Sequence, residues 1–257
     1  MIRLKKFAEL MSLKPQASMT AVFVEKAKTL FSEWVIDLNG VKYEFVEVEF
    51  LLCTKNDTHP DPNIDRADHQ YTIGNWYIPE GGVDITFGTP DFAAAIFLRV
   101  IKNLETGEQI VGPGACFTEL FQNSGPIHGI WPLPKLEERE NPIEVELLAL
   151  PRIGISLDER LDRLDERLRF VFRPYRIART DSETTLEKYM AELHLNKVQL
   201  KPQANKLSSL IYSKYEKYYS IGYDSDSMEE LWRISSRSHR MAALLGYLHK
   251  HHPDWVM

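Results

Sequence analysis

The residues whose types and spacing suit them to chemistry lie in one apolar run, Tyr43-Glu44-Phe45-Val46-Glu47-Val48-Glu49-Phe50-Leu51-Leu52. β-Branched and aromatic residues make this run a strand, and side chains alternate faces along a strand. Regular alternation puts Val46, Val48, Phe50 and Leu52 on one face. It puts Tyr43, Phe45, Glu47, Glu49 and Leu51 on the other. Two carboxylates bracketed by large apolar groups would form the bottom of a walled pocket, an environment that tunes an acid for catalysis. The bland alternative is an edge strand with solvated glutamates, and spacing alone does not choose between them.

Other elements must position these acids. Val22, Val24, Ala27 and Leu30-Phe31 recur at helical spacing and predict an amphipathic helix over 19–34. Asn39-Gly40 between two apolar runs predicts a tight hairpin leading into the acid-bearing strand. Residues 53–75 read as a long polar loop. Short strands follow at Trp76-Tyr77-Ile78 and at Val83 to Phe87, where Asp84 and Thr86 share a face. Ala93 to Ile101 predicts a buried strand that carries Arg99. A helix over 113–122 follows Gly112-Pro113-Gly114, and strands are expected over 145–153 and 168–177. From Thr184 the pattern is helical, with helices expected near 184–193, 204–220 and 226–251. The shift in period near residue 180 marks a boundary between an α+β domain, 1–179, and a helical C-terminal extension, 180–257.

Bulk properties bound the function. With 44% hydrophobic and 26% charged residues in a chain of 257, a soluble globular protein is expected. No apolar run is long enough to span a membrane. The basic start Met1-Ile2-Arg3-Leu4-Lys5-Lys6-Phe7 is not followed by the apolar stretch of a secretory signal. Cys53 and Cys116 form neither a disulfide framework nor a metal-ligand spacing, so a reducing, cytoplasmic setting is expected. The net charge of −6 argues against a large non-specific nucleic-acid surface, while leaving room for a local basic patch. That charge falls wholly on residues 1–179, because 180–257 carry ten basic and ten acidic side chains. His249, His251 and His252 lack a carboxylate or cysteine at ligand spacing and read as a solvated helix end. Tyr212, Tyr215, Tyr218 and Tyr219 read as a packed helix face. With Lys206, Lys214 and Lys217 interleaved, the same stripe could track a nucleic-acid strand.

The order of these pieces resembles the alkyladenine (3-methyladenine) DNA glycosylase family of the mammalian-type fold, from about residue 21 to about residue 177. Val46-Glu47-Val48-Glu49 resembles the family's Val-Glu-x-Glu motif, and His59 follows in an Asp/His-containing loop. Arg99 lies 13 positions after Thr86, where the family places an asparagine before its pocket arginine. Gly112-Pro113-Gly114, Pro151-Arg152-Ile153-Gly154-Ile155 and Leu168-Arg169-Phe170 resemble three further segments. The resemblance implies a curved mixed or antiparallel sheet with flanking helices. It also implies a monofunctional enzyme of base excision repair that binds DNA, flips out a modified base and hydrolyses its N-glycosidic bond. Glu49 would activate the water, Arg99 would hold the water or the carboxylate, and Glu47 would be structural or tuning. His59 would contact the base or the sugar phosphate, and Trp76 or Tyr77 would form a stacking wall. Neither metal, cofactor nor lysine nucleophile is implied.

The chain departs from the family at several places. Leu51 stands where the family has a stacking aromatic, and Thr86 replaces the pocket asparagine. Ile78-Pro79-Glu80 occupies the place of the duplex wedge. The loop before it holds Asp61, Asp65 and Asp68 against Arg66 alone, and Ala115 replaces a lysine. Three readings therefore stand: a DNA glycosylase, a non-catalytic nucleic-acid or nucleotide binding module, and an interaction protein acting through its helical tail. Arg99 also has a purely structural reading, as the ion-pair partner of Glu47 or Glu49.

Overall fold

The computed structural model describes residues 2–16, 18–56, 59, 61, 64–79, 81–122, 133–150, 152, 173–183 and 216–253. The fold is α+β, built on a curled antiparallel half-barrel with helices at the C-terminus. The chain divides into two compact units, one of residues 1–149 and 175–184, the other of 150–174 and 185–257. The boundary read at residue 180 lies within the second segment of the first unit.

In the first unit, helix α1 (Ile2–Met11) precedes helix α2 (Thr20–Glu33), which runs directly into strand β1 (Trp34–Leu38). Phe23, Ala27, Leu30 and Phe31 recur at the helical period and form the buried face of α2. The turn Asn39-Gly40 has positive φ at both residues, 55° and 92°, and leads into β2 (Val41–Thr54). Only residues with a small or absent side-chain penalty enter that region readily, which is why this dipeptide makes the hairpin. Within the loop expected over 53–75 lie a 3₁₀ turn (Asp68–Tyr71) and the start of β3 (Ile73–Tyr77); β4 (Asp84–Phe87) and β5 (Phe92–Asn103) follow. Strands β6 (Gln109–Val111), β7 (Lys135–Glu138), β8 (Leu147–Leu150) and β9 (Arg176–Arg179) complete the sheet. Its main path is β3-β4-β5-β2-β1-β7, with β6 beside β5 and β9 beside β2.

The principal core lies between one face of this sheet and helices α1 and α2. Phe23 stacks on Phe50 at 4.6 Å between ring centroids, and Phe7 meets Trp34 edge-on at 5.8 Å.

Sequence reading misses α1, β6 and β7. The segment expected as one helix over 113–122 is a short α-helix, α3 (Pro113–Phe117), that widens into a π-helical turn over Thr118–Gln122. Of the strand expected over 168–177, residues 173–177 are described, and only Arg176 and Ile177 are strand, at the start of β9. The helix expected over 184–193 and much of that over 204–220 fall outside the described residues.

In the second unit, residues 216–224 are helical. The helix expected over 226–251 is two helices, α4 (Met228–Trp232) and α5 (Arg237–His251), broken at Arg233 to Ser236. Ser227 caps α4 by accepting from the Glu230 amide at 3.3 Å. Residues 216–224 cross α5 backbone to backbone. A Cβ on Gly222 would overlap the Ala243 carbonyl, and one on Gly246 the Tyr219 carbonyl.

Candidate functional site

The acid-bearing strand is not regularly pleated. Phe45 pairs with Ile101 and Val48 with Leu98, but between them Glu47 pairs with Val100. Val46 is thus one residue too many on β2, and Arg99 one too many on β5. The two bulges cancel in register, yet each reverses the facing of its own strand beyond that point. Tyr43 and Phe45 consequently lie in the principal core with Val48, Phe50 and Leu52. They do not wall the carboxylates, as regular alternation had predicted. Glu47, Glu49, Leu51 and Cys53 occupy the opposite face.

On that face the registers align one row across five strands: Tyr77, Asp84, Phe97, Glu49 and Arg176. A second row holds Thr86, Ala95 and Leu51. Leu51 packs with Cys53, Ile64, Ala93 and Ala95 in a small apolar cluster flanked by Tyr71 and Phe97. Glu47 is fully buried and Glu49 is 2% exposed.

Burial at this level is tolerated only with strong polar partners. Glu47 has them. Arg176 donates to its Oε1 through both Nε and Nη2, and Ser182 Oγ donates to its Oε2 at 3.1 Å. Arg99 Nε stands 3.8 Å from the same Oε1. Arg99 then reaches Glu49, with Nη1 donating to Oε2 at 3.3 Å. The bulge puts Arg99 between the two carboxylates, and its side chain, 14% exposed, is the member of this group nearest to solvent. Glu47 is therefore an anchor, and Glu49 is the carboxylate that Arg99 presents. Nearby, Glu44 is held by Arg139 at 2.8 Å and Arg179 at 2.6 Å, which keep its carboxyl below the usual range despite burial.

Asp84, noted in the sequence only as a face-mate of Thr86, is the residue that sequence reasoning underused. It is fully buried, and Gln70 Nε2 donates to its Oδ2 at 3.3 Å. Its Oδ1 has no hydrogen-bond partner among the described residues. Burial, reinforced by the charges of Asp65 and Glu49, pushes its carboxyl up to about 7. The one charged residue of a short buried strand was the available signal. Arg176 gave no signal, because its role depends on a pairing 129 residues away in sequence.

Of the residues singled out from sequence, Glu47, Glu49 and Arg99 come together, with Leu51, Tyr77 and Thr86 on the same face. Tyr77 Oη donates to Asp65 Oδ2 at 3.1 Å, and Thr86 Oγ1 accepts from the Asn75 amide at 3.1 Å. Trp76 and His59 are not brought to this face. Trp76 packs against the principal core, meets Phe121 edge-on and donates Nε1–H to the Pro134 carbonyl at 2.8 Å. His59 is buried at the end of β2, where its ring stacks on core residue Tyr175 at 5.5 Å. Both cysteines are buried thiols, and burial pushes Cys116 up to about 12, which removes it as a nucleophile at neutral pH. Beside the end of β2 and the start of β5 opens a cleft of about 480 Å³, lined by Lys14, Thr54, Lys55, Thr89 and Asp91 among others. Among the described residues no three His, Cys, Asp or Glu side chains are grouped to hold a metal, and no helix is long and apolar enough to cross a membrane.

No family model matches the chain. An uncharacterized protein of Acanthamoeba polyphaga mimivirus is 30% identical to it over 124 residues. That match takes in 39% of this chain and spans 56% of the viral protein's length.

Proposed function

We propose that the protein is a DNA glycosylase-like hydrolase that cleaves the N-glycosidic bond of a modified base, with Glu49 as the carboxylate that activates water. The observation that carries this reading is the Glu49–Arg99 pair at the double bulge: a buried carboxylate held at 3.3 Å by a guanidinium that itself reaches toward solvent. Water adds to the anomeric carbon, the C–N bond breaks, and its electron pair leaves with the base. Glu49 takes the proton from the water, and its charge stabilises the cationic sugar of the transition state. Arg99 fixes the direction of the carboxylate by a charge-assisted hydrogen bond. Glu47, already saturated by Arg176 and Ser182, stays out of the chemistry and locks the bulge in place.

The test is cleavage of duplex oligonucleotides carrying alkylated, deaminated or etheno bases, followed by hot alkali. Strand breaks from the wild type that disappear in Glu49→Gln are expected. Breaks that persist in Glu49→Gln would remove Glu49 from the chemistry. One observation favours a second reading, a nucleic-acid or nucleotide binding module without turnover: Glu49 is only 2% exposed. Salt-sensitive DNA binding without breaks in either protein would establish that reading instead.

A further inference from the structure

We propose that Asp84 is the proton donor to the departing base in the reaction assigned to Glu49; the proposal rests on that assignment. Three observations carry it. Asp84 and Glu49 stand in one row of the same face, separated by the single strand β5 and by one residue, Phe97. Two strand spacings put their backbones about 10 Å apart, just above the roughly 6.5–9.5 Å between the paired carboxyl groups of inverting glycosidases. Asp84 is fully buried, with Oδ1 making no hydrogen bond among the described residues. A carboxyl with a spare oxygen in such a place is held in its protonated form and can give that proton up.

Phe97, between the two acids, offers a flat apolar surface to a planar base. Gly82 makes room for its ring, because a Cβ at that position would overlap it. Gln70 closes over Asp84. Its Nε2 donates to Oδ2 while its Oε1 accepts from the Ala67 amide at 3.1 Å, so the 3₁₀ turn is tethered by the acid it covers. The charged and titratable groups acting on Asp84 are Tyr77 on β3, Glu49 on β2 and Asp65 on the covering segment. Asp65 and Glu49 both oppose its ionisation.

The step balances. As the C–N bond breaks, its electron pair passes to the base, and Asp84 transfers its proton to a ring nitrogen of that base. Water supplies hydroxide to the sugar and a proton to Glu49. Solvent then returns one proton to Asp84 and removes one from Glu49. A base that is neutral when attached needs this proton. A base already cationic through alkylation departs neutral without it.

The experiment compares wild type and Asp84→Asn, as full chains, in single-turnover release of hypoxanthine and of 7-methylguanine from duplex oligonucleotides between pH 6 and 9. Asp84→Asn keeps an acceptor for Gln70 but has no acidic proton. We expect it to slow hypoxanthine release by about 100-fold or more and to abolish the wild type's loss of rate above neutral pH, while sparing 7-methylguanine release. Equal slowing of both bases, or slowing of neither, would overturn the donor role and leave the Glu49 reading intact. Release of neither base by the wild type would overturn both. A carboxyl-carbon NMR titration needs no substrate: a midpoint near 7 for Asp84 is expected, and one near the ordinary 3.8 would overturn the proposal even if cleavage occurs.

Discussion

Replacing Glu47 by Gln tests whether the anchor beneath Glu49 does what its contacts imply. Arg176, 1% exposed, directs Nε and Nη2 at Glu47 Oε1, and Ser182 holds Oε2 at 3.1 Å. The amide keeps the shape and loses the charge, so a buried guanidinium loses this carboxylate. Removing one partner of a buried pair costs about 3–5 kcal/mol. Glu44→Gln is the internal control. Its guanidinium partners, Arg139 and Arg179, are 10% and 14% exposed, and Arg179 keeps two hydrogen bonds to Asp181 at 2.8 and 2.7 Å. That substitution should cost less, about 1–3 kcal/mol. The double variant Glu47→Gln with Arg176→Met should recover part of the loss, since the buried guanidinium is then removed along with its carboxylate. The assay is urea unfolding at pH 7, with midpoints compared at equal slope. Equal costs for Glu47→Gln and Glu44→Gln, or additivity in the double variant, would refute the anchor.

Asp84 predicts a pH dependence. Its folded carboxyl lies at about 7 against an ordinary 3.8, so the folded state holds a proton that the unfolded state has lost between those values. Stability from this group is present below about pH 4 and is lost as pH rises through 7, by roughly 4 kcal/mol in all. Urea unfolding should show Asp84→Asn gaining on the wild type from pH 5 to 8; a difference constant with pH would sink the prediction. Gly246→Ala should destabilise by about 1–3 kcal/mol in the same assay, because its Cβ overlaps the Tyr219 carbonyl and outweighs the better helix propensity. A neutral or stabilising result would mean that the two helices do not cross there. Gly40→Ala should cost about 1 kcal/mol through its φ of 92°, leaving the Asp37 acceptor 3.2 Å from the residue 40 amide intact, and unchanged stability would contradict the turn geometry.

Features set by neighbours in sequence were readable, and those set across the sheet were not. Asn39-Gly40 encodes its own turn, and Phe23 to Phe31 encode their own helix face. Glu47 and Glu49 were readable as acids on one face of a strand. Their surroundings were not, because strict alternation assumes an unbroken pleat and Val46 interrupts it. The error therefore fell on Tyr43 and Phe45, N-terminal to the bulge, and spared Leu51 beyond it. Arg99 was picked out by resemblance, but its place between the carboxylates depends on a bulge in β5 that no local pattern announces. His59 and Trp76 went to the other face for the same reason: their positions are decided by pairing and packing, not by composition. The break in the expected helix over 226–251 falls at Ser235 and Ser236, residue types disfavoured in helix interiors, although Ser236 makes no side-chain cap bond.

The paired bulges also constrain how the sequence can vary. Val46 and Arg99 are each surplus to the ladder, and only together do they leave the rest of β2 and β5 in step. Losing one codon from either strand would slide every later pairing by one position and exchange buried apolar residues for charged ones. Losing both would restore the ladder but leave Glu47 and Glu49 without the guanidinium between them. Insertions and deletions here are therefore tolerated only in matched pairs, and any such pair removes the ion-pair centre in a single event. The centre and the irregularity are inherited together or lost together.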